Sequence, residues 1–149
     1  MKREILKYGI TGLLSYLFLY AAISKYADFK EFEISMHKQP LPYWFVDILI
    51  WTVPELEIAV VILLFIGFFT ERIRILGLYG FTLLMAVFTA YILAILFHYF
   101  PRIPCSCGEL IESLSWGQHL AFNLCFIALA IIAMRIKTQR LSNSIIHNS

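Results

Sequence analysis

Residues 58–69 read IAVVILLFIGFF, twelve positions without a charge or a hydrogen-bonding side chain. A bilayer's hydrocarbon core is about 30 Å thick and takes roughly 20 apolar helical residues to cross. Extended back toward Ile48, this run is long enough to do so. Three further stretches qualify, at about 8–24, 75–97 and 116–134, so the chain is expected to span a membrane four times, with the second span at 48–69. Composition agrees. Of 149 residues, 60% are hydrophobic and only 15% are charged, against about 25% charged in soluble domains. A soluble domain of this size has too little interior to hide that much apolar surface. Disorder is excluded by the 16% aromatic content, and a disulfide-stapled mini-protein would need more than three cysteines.

Four spans leave little chain for a second domain, so residues 1–134 are read as one membrane domain and 135–149 as a loose polar tail on the cytoplasmic side. The first segment has a basic start and an apolar run, as signal peptides do. Its length and the lack of an A-x-A exit favour an uncleaved span. Net charge is +2, too small to suggest a nucleic-acid partner. The basic residues are informative by position instead. Lys2, Arg3, Lys7, Arg72, Arg74, Arg135, Lys137 and Arg140 fall on one side, and Lys25, Lys30, Lys38 and Arg102 on the other. Eight against four places both termini in the cytoplasm and the first and third loops outside, as in an inner-membrane protein.

The first outer loop carries its own pattern. Asp28 and Glu31 have capping-box spacing, and Phe29, Phe32 and Met36 recur on one helical face. A short interfacial helix is expected over Phe29–His37, ended by Pro40 and Pro42. It reads as a connector resting on lipid, or alternatively as a lid.

The third loop reads PRIPCSCGEL at residues 101–110. Cys105 and Cys107 there face an oxidising compartment on this topology. Pro101 and Pro104 favour extended backbone before them, and Gly108 permits a turn. A disulfide between i and i+2 closes a small ring near the upper limit of Cα separation, and such strain suits an exchanging bond. A static clip, idle thiols and a soft-metal site are the other readings. Cys125, mid-span between Leu124 and Phe126, reads as a small buried hydrophobe.

Polar residues within the spans gather at the same depth. These are Lys25, Glu55, Glu57, His98, Gln118, His119 and Asn123, all in the outer leaflet. Charges in lipid are costly and face partners or cavities, so one polar pocket beneath the cysteine loop is expected. Glu55 and Glu57 project about 200° apart, so only one can face it squarely. Lys25 is expected to pair with Glu57. His119 and Asn123, at i and i+4, share a face. A nearby Lys or protonated His would favour the thiolate that performs exchange.

The Lys25-Tyr-x-Asp-Phe stretch, Pro54-Glu-Leu-Glu57 and Cys105-Ser-Cys107-Gly108, set in four spans, resemble the MauE/DoxX-like redox-associated membrane proteins. The likeness runs from about Tyr8 to Met134. It implies an all-α four-helix membrane bundle and a part in disulfide maturation of exported proteins, beside a thioredoxin-like partner. It marks Lys25, Glu57, Cys105 and Cys107 as the positions to watch. Family loops are often of a Cys-x-Cys-Phe-Gly type, whereas Gly108 here follows Cys107 directly.

The leading expectation is thiol–disulfide exchange through Cys105 and Cys107. A membrane quinone is the candidate electron acceptor, by functional analogy with other four-helix disulfide enzymes. A non-enzymatic accessory subunit, soft-metal handling by the Cys/His cluster and, more weakly, small-solute transport are the alternatives. In intact cells an impermeant maleimide should label Cys105 and Cys107 after reduction. Labelling only after lysis would invert the topology.

Overall fold

A computed structural model describes residues 2–97, Tyr99 and residues 116–147. They form five helices: α1 (Lys2–Ala27), α2 (Phe29–His37), α3 (Tyr43–Ile66), α4 (Glu71–Leu96) and α5 (Trp116–His147). The four long helices are apolar enough and long enough to cross a membrane. Each packs on two others, α1 and α4 both on α3 and on α5, which closes a four-helix bundle. The chain is an all-α, multi-pass membrane protein.

The bundle is apolar outside as well as inside. Leu14, Leu64, Leu78, Phe81, Ala130 and Ala133 are fully buried, while Ile62, Phe65, Leu83 and Val87 stand exposed on its surface. Lipid tails are as apolar as leucine, so close packing and polar contacts hold such helices together, with no net hydrophobic drive between them. The rings of Phe18 and Phe81 meet with centroids 4.3 Å apart across α1 and α4. Along the α3–α4 hairpin the approach depends on glycine. A Cβ at Gly67 would lie 2.5 Å from Arg74 Cα, and one at Gly77 would lie 2.9 Å from Leu64 Cδ2. Gly67 sits at the C-terminal end of α3 with helical φ, so its role is room for the neighbouring backbone.

The short helix forms where the sequence places it. Asp28 caps it, its Oδ1 accepting a hydrogen bond from the Glu31 amide at 3.2 Å. The helix stops before Pro40, and Pro42 then caps α3.

Two features depart from expectation. The helices overrun the apolar stretches at most ends, and α5 continues as helix to His147, through a segment expected to be loose. The larger difference is at the amino-terminal end of α4. Lys7 and Arg74, counted above as surface charges that set orientation, are buried at 3% and 0% exposure. Arg74 donates to Glu71 through Nε and Nη2 at 2.9 and 2.6 Å, and Nη1 reaches Thr11 Oγ1 at 3.5 Å and the Ala133 carbonyl at 3.4 Å. Lys7 Nζ lies 2.8 Å from Glu4 and 3.5 Å from Glu71. The physical reason is that the helices overrun the apolar core, so charges on their first turns fall between neighbours. There they must be paired. Arg74 thereby ties α4 to α1 and α5.

Truncating Arg74 would strip Glu71 of a bidentate partner and remove the contact that ties α4 to the Ala133 carbonyl of α5. Arg74→Met should cost about 3 kcal/mol. The neighbouring exposed Arg72→Met should cost under ~0.5 kcal/mol. Thermal unfolding in detergent measures both.

Candidate functional site

The Lys25–Glu57 pair expected from sequence lies at the end of the bundle remote from Arg74. Lys25 lies in the last turn of α1, and Glu57 lies in the middle of α3. Lys25 Nζ donates to Glu57 Oε1 and Oε2 at 2.9 and 3.0 Å, and to the Ala21 carbonyl at 3.2 Å. The side chains are 20% and 12% exposed. All three donors of the ammonium are thus engaged, two by the carboxylate and one by its own helix.

α2 roofs this pair. Lys25 Nζ lies 5.9 Å from the centre of the Phe32 ring. Phe29 packs against Tyr26 and Trp51, with centroids 6.4 and 5.1 Å apart. Beyond α2, Tyr91 on α4 donates to Gln39 Oε1 at 2.6 Å, and His37 Nε2 lies 3.4 Å from Asp47 Oδ1. These contacts seat α2 on α1 and α3 and fasten its far end to α4, so it is a packed cover as well as a connector.

Glu55 turns the other way, as its spacing from Glu57 requires. It is exposed at the rim and accepts a hydrogen bond from Tyr26 at 2.6 Å. His119 and Asn123 face inward from α5, at 1% and 3% exposure. The His119 ring meets Phe88 of α4 edge-on, with centroids 6.2 Å apart. Among the described residues, Asn123 Nδ2 has no hydrogen-bond partner. Gln118 is exposed.

Helix register relates these groups in depth. Thr11 meets Arg74, and Phe18 meets Phe81, both at an offset of 63 residues, so α1 and α4 run parallel. Fourteen positions from Arg74 to Phe88 on α4 match fourteen from Ala133 back to His119 on α5. Seven positions from Gly77 to Leu84 match seven from Leu64 back to Glu57 on α3. Lys25, Phe88 and His119 therefore share one level. Ala21, Glu57, Leu84 and Asn123 share the next, about one turn deeper. Among the described residues, no hydrogen bond of Lys25 or Glu57 reaches α5. The polar groups occupy a common depth as two separate sets.

His98, Cys105 and Cys107 lie outside the described residues. The chain that carries them leaves α4 at Leu96 and re-enters α5 at Trp116. Both points are at the Lys25 end. Cys125, expected to be buried, is exposed on the outer face of α5. Span position gave its depth, and packing decides which way it points. Among the described residues no three His, Cys, Asp or Glu side chains converge as metal ligands.

The family model of the methylamine utilisation protein MauE matches residues 3–136. The chain belongs to the MauE family. The match takes in all four spans, the Lys25–Glu57 pair, α2 and the cysteine loop, and ends at Ile136. Membership supports a membrane accessory role in a redox and methylamine-utilisation context. Searches of curated proteins and of solved structures returned no match.

Sequence reasoning missed four contacts: the Arg74 network, Tyr26 with Glu55, Tyr91 with Gln39, and His37 with Asp47. Only the first left a signal. Glu4 with Lys7, and Glu71 with Arg74, are i, i+3 pairs of opposite charge.

Lys25 and Glu57 should behave as a unit. Lys25→Met or Glu57→Leu alone strands a charge in the bundle and should cost about 2–3 kcal/mol. The double variant should cost less than either. A thermal-unfolding double-mutant cycle reads this coupling, and additive losses would refute it.

Proposed function

We propose that this MauE-family protein carries out thiol–disulfide exchange through Cys105 and Cys107, with an exported thioredoxin-like protein as partner. In this reading the protein sits in the inner membrane with both termini in the cytoplasm and the cysteine loop outside. The observation that supports it best is the Lys25–Glu57 pair, roofed by α2 at the end where the loop is rooted. A charged pair set into a membrane bundle carries a cost, and such groups mark working sites.

The chemistry is a two-step exchange. A thiolate of the Cys105/Cys107 pair attacks the partner's disulfide, forming one mixed disulfide and releasing one partner thiolate. The second cysteine then attacks the mixed disulfide. The pair ends as a disulfide and the partner as a dithiol, with two electrons transferred. The reverse direction uses the same steps.

In this reading the supporting residues take different parts. Lys25 is neutralised by Glu57, so it does not act as a free cation beside a thiolate. The pair instead fixes α1 against α3 beneath α2 and so holds the floor of the site. His98, which follows the α4 cap directly in sequence, is then the basic group assigned to favour the thiolate. His119 and Asn123 line the interior below.

Either Cys105→Ser or Cys107→Ser should abolish function. The variant lacking the resolving cysteine should trap the partner in an adduct that disappears on reduction. If neither single variant traps an adduct where the wild type is active, exchange fails as a reading. A double serine variant that retained function would assign the protein to the non-enzymatic accessory class instead.

A further inference from the structure

The remaining unexplained feature is the charge at the Arg74 end. Of the eight acidic residues among the described ones, only Glu4 and Glu71 fall there. The other six, Asp28, Glu31, Glu33, Asp47, Glu55 and Glu57, fall at the Lys25 end. Glu4 and Glu71 are both engaged by the buried cations Lys7 and Arg74. Lys2, Arg72 and Arg135 are exposed at this end, and among the described residues none of the three is ion-paired with a carboxylate. In a membrane protein this end meets lipid headgroups.

Two more observations point the same way. Phe69, three residues before Arg72 in the α3–α4 turn, is 91% exposed. An aromatic ring beside a cation at a helix end is the arrangement that anchors at the headgroup boundary. α5 is also longer than a bilayer requires. Its 32 residues extend about 48 Å, against a hydrocarbon core of about 30 Å. The sequence itself turns polar after Ile136, with residues 137–140 reading KTQR.

We propose that the Arg74 end of the bundle binds anionic phospholipid headgroups, through Lys2, Arg72 and Arg135. The phosphodiester supplies a negative charge to these cations while Glu4 and Glu71 are engaged by Lys7 and Arg74, and Phe69 sits among the acyl chains. Polybasic segments gain affinity for anionic leaflets with each Lys or Arg, and they lose it with rising salt. The inference depends on neither the thiol reading nor the direction of insertion, since it concerns one end of the molecule whichever way it faces.

The test uses full-length protein in detergent, equilibrated with an equimolar mixture of phosphatidylglycerol and phosphatidylcholine. The protein is recovered, and its retained lipid is extracted and quantified. Phosphatidylglycerol should be enriched at low salt and the enrichment should fall at high salt. Removing charges with Arg72→Gln and Arg135→Gln should lower the enrichment about fivefold per charge. Both residues are exposed, so the thermal midpoint should stay unchanged. A Lys30→Gln/Lys38→Gln variant at the opposite end should keep full enrichment. Equal retention of the two lipids, or undiminished enrichment in the Arg72/Arg135 variant, overturns the proposal. Displacement of phosphatidylglycerol by millimolar inorganic phosphate overturns it too, since the ligand would then be a soluble anion.

Discussion

Lipid offers no hydrogen bonds, so a charge inside a membrane bundle has to find its partner within the chain. Here that constraint is met at both ends, by different helix pairs. Lys25 and Glu57 join α1 to α3, and Arg74 joins α4 to α1 and α5. Together the two locks touch all four long helices. The apolar layers between them, centred on Phe18 and Phe81, gain nothing from excluding water in a bilayer. They rely on fit, and fit depends on register. Charged contacts at each end set that register, because a slide of one turn would part the charges by about 5.4 Å.

The α3–α4 hairpin shows how the second lock is built. Arg74 can sit one turn into α4 and still face the bundle axis only because Gly67 lets the α3 backbone run against it. Gly77 repeats this closeness one turn further along, against Leu64. Small residues give backbones the approach they need in lipid. They also bring the Arg74 guanidinium within reach of Thr11 and the Ala133 carbonyl on two other helices.

How far the sequence shows this differs from residue to residue. The four spans are legible because bilayer thickness converts directly into a count of apolar residues. α2 is legible because Asp28, the spacing of Phe29, Phe32 and Met36, and the prolines all agree. The Lys25–Glu57 pair is legible from a rule of necessity, since two opposite charges at one depth in lipid should meet. What stays hidden is direction around a helix axis. Cys125 and Asn123 are two residues apart on α5, yet one faces out and the other in. With mean apolarity high all round, hydropathy cannot rank those faces. Arg74 is hidden for a related reason. A basic residue just past a loop reads as surface charge until the neighbouring helices are known to extend beyond it.

The neutrality of the Lys25–Glu57 pair bears on any exchange at the loop above it. A free ammonium favours a thiolate, whereas one held by two carboxylate oxygens presents little net charge. Any step that draws on Lys25 as a cation has first to break two short hydrogen bonds to Glu57. It also has to move the ammonium relative to the Phe32 ring in α2. α2 is in turn fastened through Phe29 to Trp51 and, beyond its end, through Gln39 to Tyr91. Freeing the lysine therefore means shifting the cover, and α2 and the ion pair form one mechanical unit. With the pair closed, what it does is hold that cover over α1 and α3.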